Sequence, residues 1–248
     1  MRLFFLVLGT AILFGSEAFA QTVSLEELVN QDQSTYSGRI IQGLVVLTVL
    51  SLAPALLITT TCFTRFIIAF SFLRSGLGLQ STPSNLIIIS LALFMTYFVM
   101  APVFSQSWNN GIQPFLDNKL SEEVAFERAS APFKKFMTLH VREGDLALFE
   151  RFVDQNVEET SSPTLLQDRE LRVLIPAFLL SEIRKGFEIG FLILLPFLVI
   201  DLVVSTVTMS MGMMMLPPTV VSLPFKVLFF VLIDGWNLLV EELLKSVV

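Results

Sequence analysis

Uncharged, largely apolar residues run from Ile40 to Thr64 and again from Leu86 to Phe104, each long enough for a helix that crosses a bilayer. The two runs predict a helical hairpin whose connection holds Arg65, Arg74, Gly76, Gly78 and the turn-forming Ser81-Thr82-Pro83-Ser84-Asn85. Pro54 and Pro102 fall inside or at the end of these helices, where a missing backbone donor favours a kink. From Ser105 the pattern turns polar, with apolar residues spaced for short amphipathic helices. Ser121 precedes Glu122 and Glu123 as a cap with an acidic first turn, and Pro132 suits the start of a second helix. Gly144 punctuates, Leu146, Phe149, Phe152 and Val153 then recur at helical spacing, and Glu158 to Pro163 breaks the pattern. A second apolar block follows, with a helix over Ile189 to Met211 and a short apolar run, Val227 to Ile233, between Lys226 and Asp234. No strand-like alternation competes with this reading. The pattern predicts an all-α membrane protein made of two long apolar helical hairpins, residues 40–104 and 171–248, with a polar helical region, 105–170, inserted between them.

The charges sharpen the plan. Only Arg65 and Arg74 interrupt the first block, and two arginines in a short connection suit the cytoplasmic side of a membrane. Ser105 to Lys185 carries 23 of the 38 Asp, Glu, Lys and Arg residues, so this stretch faces water. At the start of the chain, Arg2 leads an apolar run, Leu3 to Phe14, that ends in Ala18-Phe19-Ala20. This is the form of a secretory signal, with cleavage expected after Ala20 and a mature N-terminal segment over residues 21–39. Such a signal puts that segment, and after two crossings the polar region, outside the cytoplasm.

Composition then removes classes of function. At 54% hydrophobic and a mean hydropathy of +0.74, the chain is too apolar for a soluble cytosolic enzyme. A formal charge of -6 gives no broad basic surface, so nucleic acid is not expected as a partner. Cys62 and His140 are the single cysteine and histidine, too few for an intrachain disulfide or a Cys/His zinc site. His140 is assigned no role, no metal or cofactor is expected, and the apolar blocks hold no catalytic constellation.

Two features of the C-terminal block stand out. Asp201, Lys226 and Asp234 lie in apolar surroundings, where a charge on insertion scales costs about 3 kcal/mol and therefore faces protein, water or an opposite charge. Such groups tie helices together within the chain or act between subunits. The second feature is Met209-Ser210-Met211-Gly212-Met213-Met214-Met215-Leu216-Pro217-Pro218, which packs five of the nine methionines into seven positions. Gly212, Pro217 and Pro218 stop the flanking helices and act as hinges of a loop. Unbranched, polarizable methionines either fill a helix contact or close around irregular objects.

Pro224-Phe225-Lys226, an apolar stretch from Val227 to Val231, and Leu232-Ile233-Asp234-Gly235-Trp236 resemble the C-terminal signature of the FliP family of flagellar type III export-gate proteins. Pro176-Ala177-Phe178-Leu179-Leu180-Ser181-Glu182-Ile183, followed by Gly190, is similar to that family's other signature. The resemblance extends through Phe63-Thr64-Arg65, Leu73-Arg74-Ser75, Pro83-Ser84-Asn85 and Gly212 to Pro218. It implies a non-enzymatic subunit, present in several copies, of a membrane gate built with FliQ-like and FliR-like proteins. Other flagellar export-apparatus membrane proteins, membrane lipid and the unfolded flagellar proteins that leave through the gate are the remaining partners it implies. It further implies that Met213, Met214 and Met215 face the pore as a gasket, and that some apolar helices are lifted out of the membrane plane. Glu182 and Lys226, opposite charges in the two signatures, are expected to pair between neighbouring subunits. A virulence injectisome gate shares the core motifs, but the signal and the long polar middle favour the flagellar branch. An ion or solute channel also explains intramembrane charge, yet a proton path needs a denser chain of titratable groups.

Overall fold

The computed structural model describes residues 47, 51, 54–79, 81–154, 163–212 and 217–247. Every regular element among them is helical, as the periodicity predicts. The expected signal with its Ala20 cleavage site and the 21–39 segment lie outside the described residues.

The first apolar run does not make one span. Helix α1, Pro54–Thr60, turns by 83° into α2, Phe63–Gly76. The break falls in Thr59-Thr60-Thr61, whose hydroxyls donate back to the carbonyls of Ala55, Leu56 and Leu57 and so compete with the backbone bonds of a continuing helix. Thr64 Oγ1 reaches Ile58 O across the corner at 3.0 Å. Arg65 therefore sits in the first turn of a buried helix, whereas the charge pattern put it in an exposed connection. The connection itself begins only after Gly76, and Arg74 in the last turn of α2 bonds Asn85 Oδ1 at the start of the next helix.

Helix α3, Asn85–Leu116, runs past the expected end at Phe104 and keeps Pro102 in its interior. A π-helical turn, Trp108–Ile112, interrupts it where the polar region begins. Helix α4, Glu122–His140, crosses α3 there. Gly111 allows the approach, since a Cβ at that position would lie 2.6 Å from Ala129 N, and Ser107 Oγ donates to Ala129 O at 2.7 Å. Ser121 is the N-cap of α4 by position but makes no side-chain cap bond. Pro132 does not begin a second helix; it lies buried inside α4, where the surrounding contacts offset its lost backbone bond. Helix α5, Glu143–Asp154, carries Gly144 in its first turn.

Helix α6, Pro163–Ser210, is 48 residues and so roughly 72 Å long, far longer than the helix expected from Ile189. It touches α2, α4, α5 and α7, Pro218–Leu232, and serves as the strut of the molecule. Its glycines face α2. A Cβ at Gly190 would fall 2.7 Å from the Phe72 ring, and one at Gly186 would fall 3.2 Å from Arg65 O. Helix α7 then bends by 66° into α8, Gly235–Lys245, with Asp234 at the corner in the left-handed region, φ 51°. The core runs along α2 through Phe66, Phe70 and Leu73 to Met100, Phe178 and Phe197.

Outside this core the molecule is apolar on its surface. Asn85–Leu116 and Leu171–Ser210 are both long and apolar enough to cross a membrane, and only 11% of the apolar window of the second is buried. Phe191, Leu195, Leu198 and Leu202 all remain exposed on α6. A face of this kind belongs in lipid or against other apolar helices, so the fold is that of a helical membrane protein.

Candidate functional site

Four of the charges singled out from the sequence are resolved into two separate clamps on α6. In the first, Arg65 Nε donates to Glu182 Oε2 at 2.9 Å and Nη2 donates to Oε1, a bidentate fork in which both side chains are wholly buried. Arg65 Nη1 also donates to Ser246 Oγ at 3.0 Å and to the Ser246 carbonyl. One guanidinium thus joins α2, α6 and the residue after α8.

In the second clamp, Lys226 Nζ lies 2.6 Å from Asp201 Oδ2 and donates to Gly76 O at 2.9 Å. Ser222, one helical turn before Lys226, donates to Asp201 Oδ1 at 2.6 Å. Lys226 is buried, while the Asp201 side chain keeps 32% exposure. These contacts join the end of α2, the second half of α6 and α7.

The expected pairing of Glu182 with Lys226 is therefore corrected. Each takes a different partner within the chain, because the buried helix α2 brings Arg65 to Glu182 while α7 folds back along α6 to bring Lys226 to Asp201. Asp234 joins neither clamp; it is exposed and accepts from Asn237 Nδ2 at 2.5 Å. Arg74 is half-buried at the α2–α3 turn.

Several polar groups that the sequence did not single out surround the first clamp. Ser181, beside Glu182, has its Oγ 2.9 Å from both Asp145 Oδ2 and Ala177 O, and accepts from Arg142 N at 3.0 Å. Arg184 pairs with Asp145 at 3.2 Å. The ring nitrogens of His140 lie 2.8 Å from the carbonyl oxygens of Phe136 and Val247, and Lys185 Nζ donates to His140 O at 2.9 Å. The chain end is thus held by Arg65 and His140 together. Ser181 lies within a recognisable motif; the Arg65–Ser246 and His140–Val247 contacts have no local sequence signal, since the partners are more than 100 residues apart.

The methionine loop leaves α6 just beyond the second clamp. Met209 lies in the last turn of the helix and Met211 follows its end, both well exposed. Gly212 takes φ 74°, a conformation that glycine adopts without penalty, and Pro217 is extended ahead of Pro218, the first residue of α7. Met213, Met214 and Met215 lie outside the described residues. Among the described residues, no group of three His, Cys, Asp or Glu is placed to hold a metal.

The chain matches the model of the FliP family over residues 46–243, a span that holds both charge pairs, Arg65–Glu182 and Lys226–Asp201, both signature motifs and the methionine-rich segment. It is 55% identical over 229 residues to the flagellar biosynthetic protein FliP of Rhizobium meliloti, covering 92% of each chain. It is 51% identical over 203 residues to the Bacillus subtilis protein of that name, covering 82% of this chain and 90% of the relative. The Caulobacter vibrioides protein of the same name is 48% identical over 224 residues, covering 89% and 82%. With its long apolar helices and the signatures on α6 and α7, the chain belongs to the FliP family.

Proposed function

We propose that this chain is a subunit of the flagellar protein export gate, the membrane channel through which unfolded flagellar proteins leave the cytoplasm. The observation that carries this reading is the match of nearly the whole chain to flagellar biosynthetic FliP proteins. Its role is structural and transporting, and its partners are other proteins of the flagellar export apparatus. More finely, several copies assemble with FliQ-like and FliR-like subunits in the inner membrane, with the polar region on the periplasmic side.

In this reading Met213, Met214 and Met215 close the pore. A seal around a moving chain of variable sequence has to conform without gripping any one side chain, and flexible thioethers do so better than branched residues. Gly212 and Pro217 free the loop from the helices on either side, while the Lys226–Asp201 clamp holds those helices together.

The test has two levels. Deleting the gene should abolish filaments and the export of flagellar proteins, with recovery on re-expression; normal export without it would overturn the reading. Replacing all three methionines with Ala should leave the complex assembled but raise small-ion leakage in vesicles, while Leu should seal and export less well. Equal leakage from assembled wild-type and triple-Ala complexes would assign the constriction to other residues.

A further inference from the structure

The polar half of the molecule carries a feature that export does not use. A groove of about 540 Å³ opens where α3 and α4 cross, lined by Gln106, Asn109 and Asn110 from α3 and by Arg128, Pro132 and Lys135 from α4. Arg128 and Lys135 stand seven residues apart, so both lie on the same stripe of α4 with Pro132 between them. Both are exposed, and neither forms an ion pair among the described residues. No carboxylate lines the groove, although acidic residues outnumber basic ones in this part of the chain. Two unpaired cations flanked by three carboxamides make a site for an anion with several oxygen acceptors.

Its depth says which anion. The apolar run of α3, Leu86 to Phe104, spans about 28 Å at 1.5 Å per residue, close to the thickness of a bilayer's hydrocarbon core. Gln106 follows that run by half a turn of helix. The half-exposed Trp108 marks the same level, where indole rings favour the membrane–water boundary. Exposed Phe94 and Phe98 continue an apolar surface along α3 below it. A phosphate in the groove therefore has room for acyl chains beside the same helix.

We propose that this groove binds the phosphodiester headgroup of an anionic phospholipid, with Arg128 and Lys135 holding the phosphate and the carboxamides of Gln106, Asn109 and Asn110 holding the polar end. A lipid at this crossing bridges the apolar helix α3 and the polar helix α4 and ties the polar region to the lipid beside α3.

The test is lipid titration of the detergent-extracted complex followed by native mass spectrometry, with phosphatidylglycerol, phosphatidylcholine and inorganic phosphate as separate probes. Phosphatidylglycerol should bind preferentially. Arg128→Gln with Lys135→Gln should weaken it about 30-fold, since each cation near an anionic headgroup contributes about fivefold. A charge-matched control, Lys119→Gln with Arg151→Gln, should change it less than twofold. If the double variant fails to assemble, Arg128→Gln alone should still show the fivefold loss. In a Trp236→Phe background, phosphatidylglycerol with brominated acyl chains should quench Trp108 more than brominated phosphatidylcholine. Unchanged phosphatidylglycerol binding in the variants, equal binding of the two lipids, or inorganic phosphate binding as tightly as the lipid would overturn the proposal.

Discussion

Replacing Glu182 with Ala strands the Arg65 guanidinium in a place no water reaches. Both side chains are fully buried, and the loss leaves Nε and Nη2 of Arg65 without acceptors while Nη1 stays bound to Ser246. Breaking a buried pair from one side costs about 3–5 kcal/mol, a large part of the 5–15 kcal/mol that holds a typical domain together. Glu182→Gln keeps one acceptor but turns an amide NH2 toward the other arm of the fork, so its loss should be intermediate. The charge-swapped pair, Arg65→Glu with Glu182→Arg, should not recover. A carboxylate at position 65 would face the Ser246 carbonyl, which now accepts from Arg65, and acceptor would oppose acceptor. Ser246→Ala removes only the hydroxyl acceptor and should cost about 0.5–1.5 kcal/mol. Denaturant-induced unfolding in mild detergent, followed by helicity, ranks the four variants. A Glu182→Ala protein within about 1 kcal/mol of wild type, or full recovery in the swap, would refute the assignment of this pair as a desolvated, three-way tie.

The second clamp should be softer: Lys226→Met gives up its bonds to Asp201 and Gly76 O, but Asp201 keeps Ser222 and some water. A loss of about 1–3 kcal/mol is expected in the same unfolding assay, with partial recovery on adding Asp201→Leu. Gly190→Ala should destabilise by about 1–3 kcal/mol despite the helix preference of alanine, because its Cβ meets the Phe72 ring and Cβ at 2.7–2.9 Å. Gly144→Ala, with nothing within 4 Å of the new methyl, should stabilise by about 0.4–1 kcal/mol, and opposite signs for the two glycines are the informative result. Gly111→Val should displace α4 from α3, read as new protease sensitivity around Ser130 and as lost binding of phosphatidylglycerol.

The helical fold class was legible because hydropathy reports burial along a single chain segment. Helix α2 was not. Its sequence, Phe63 to Gly76, reads as a tail and a connection, because two arginines interrupt it and the uncharged run stops at Thr64. Hydropathy treats Arg65 as a reason to end a buried helix, whereas Glu182, over 100 residues later, cancels that charge. The bend before α2 has a local cause in three consecutive threonines, yet each of them also fits a continuous helix. Pro132 misleads in the other direction: it suits a helix start, and tertiary contacts keep it inside α4.

The same limit explains the charges. That Glu182, Asp201 and Lys226 needed partners followed from their apolar neighbours; which partners they take depends on which helix faces meet. Glu182 and Asp201 stand 19 positions apart on one helix, about 28 Å along its axis, too far for a single lysine to serve both. The two signature motifs are thus, in this chain, the places where the strut α6 is pinned: once to α2 and the chain end through Glu182, once to α2 and α7 through Asp201 and Lys226. Pinning on both sides of the methionine loop has a physical consequence. The second half of α6 is poorly packed and would drift from α7 in any apolar surrounding, because lipid offers no hydrophobic reason for the two helices to stay together. A charge pair with a hydroxyl and a carbonyl attached supplies that reason, and so sets the distance that the loop between Gly212 and Pro217 has to bridge.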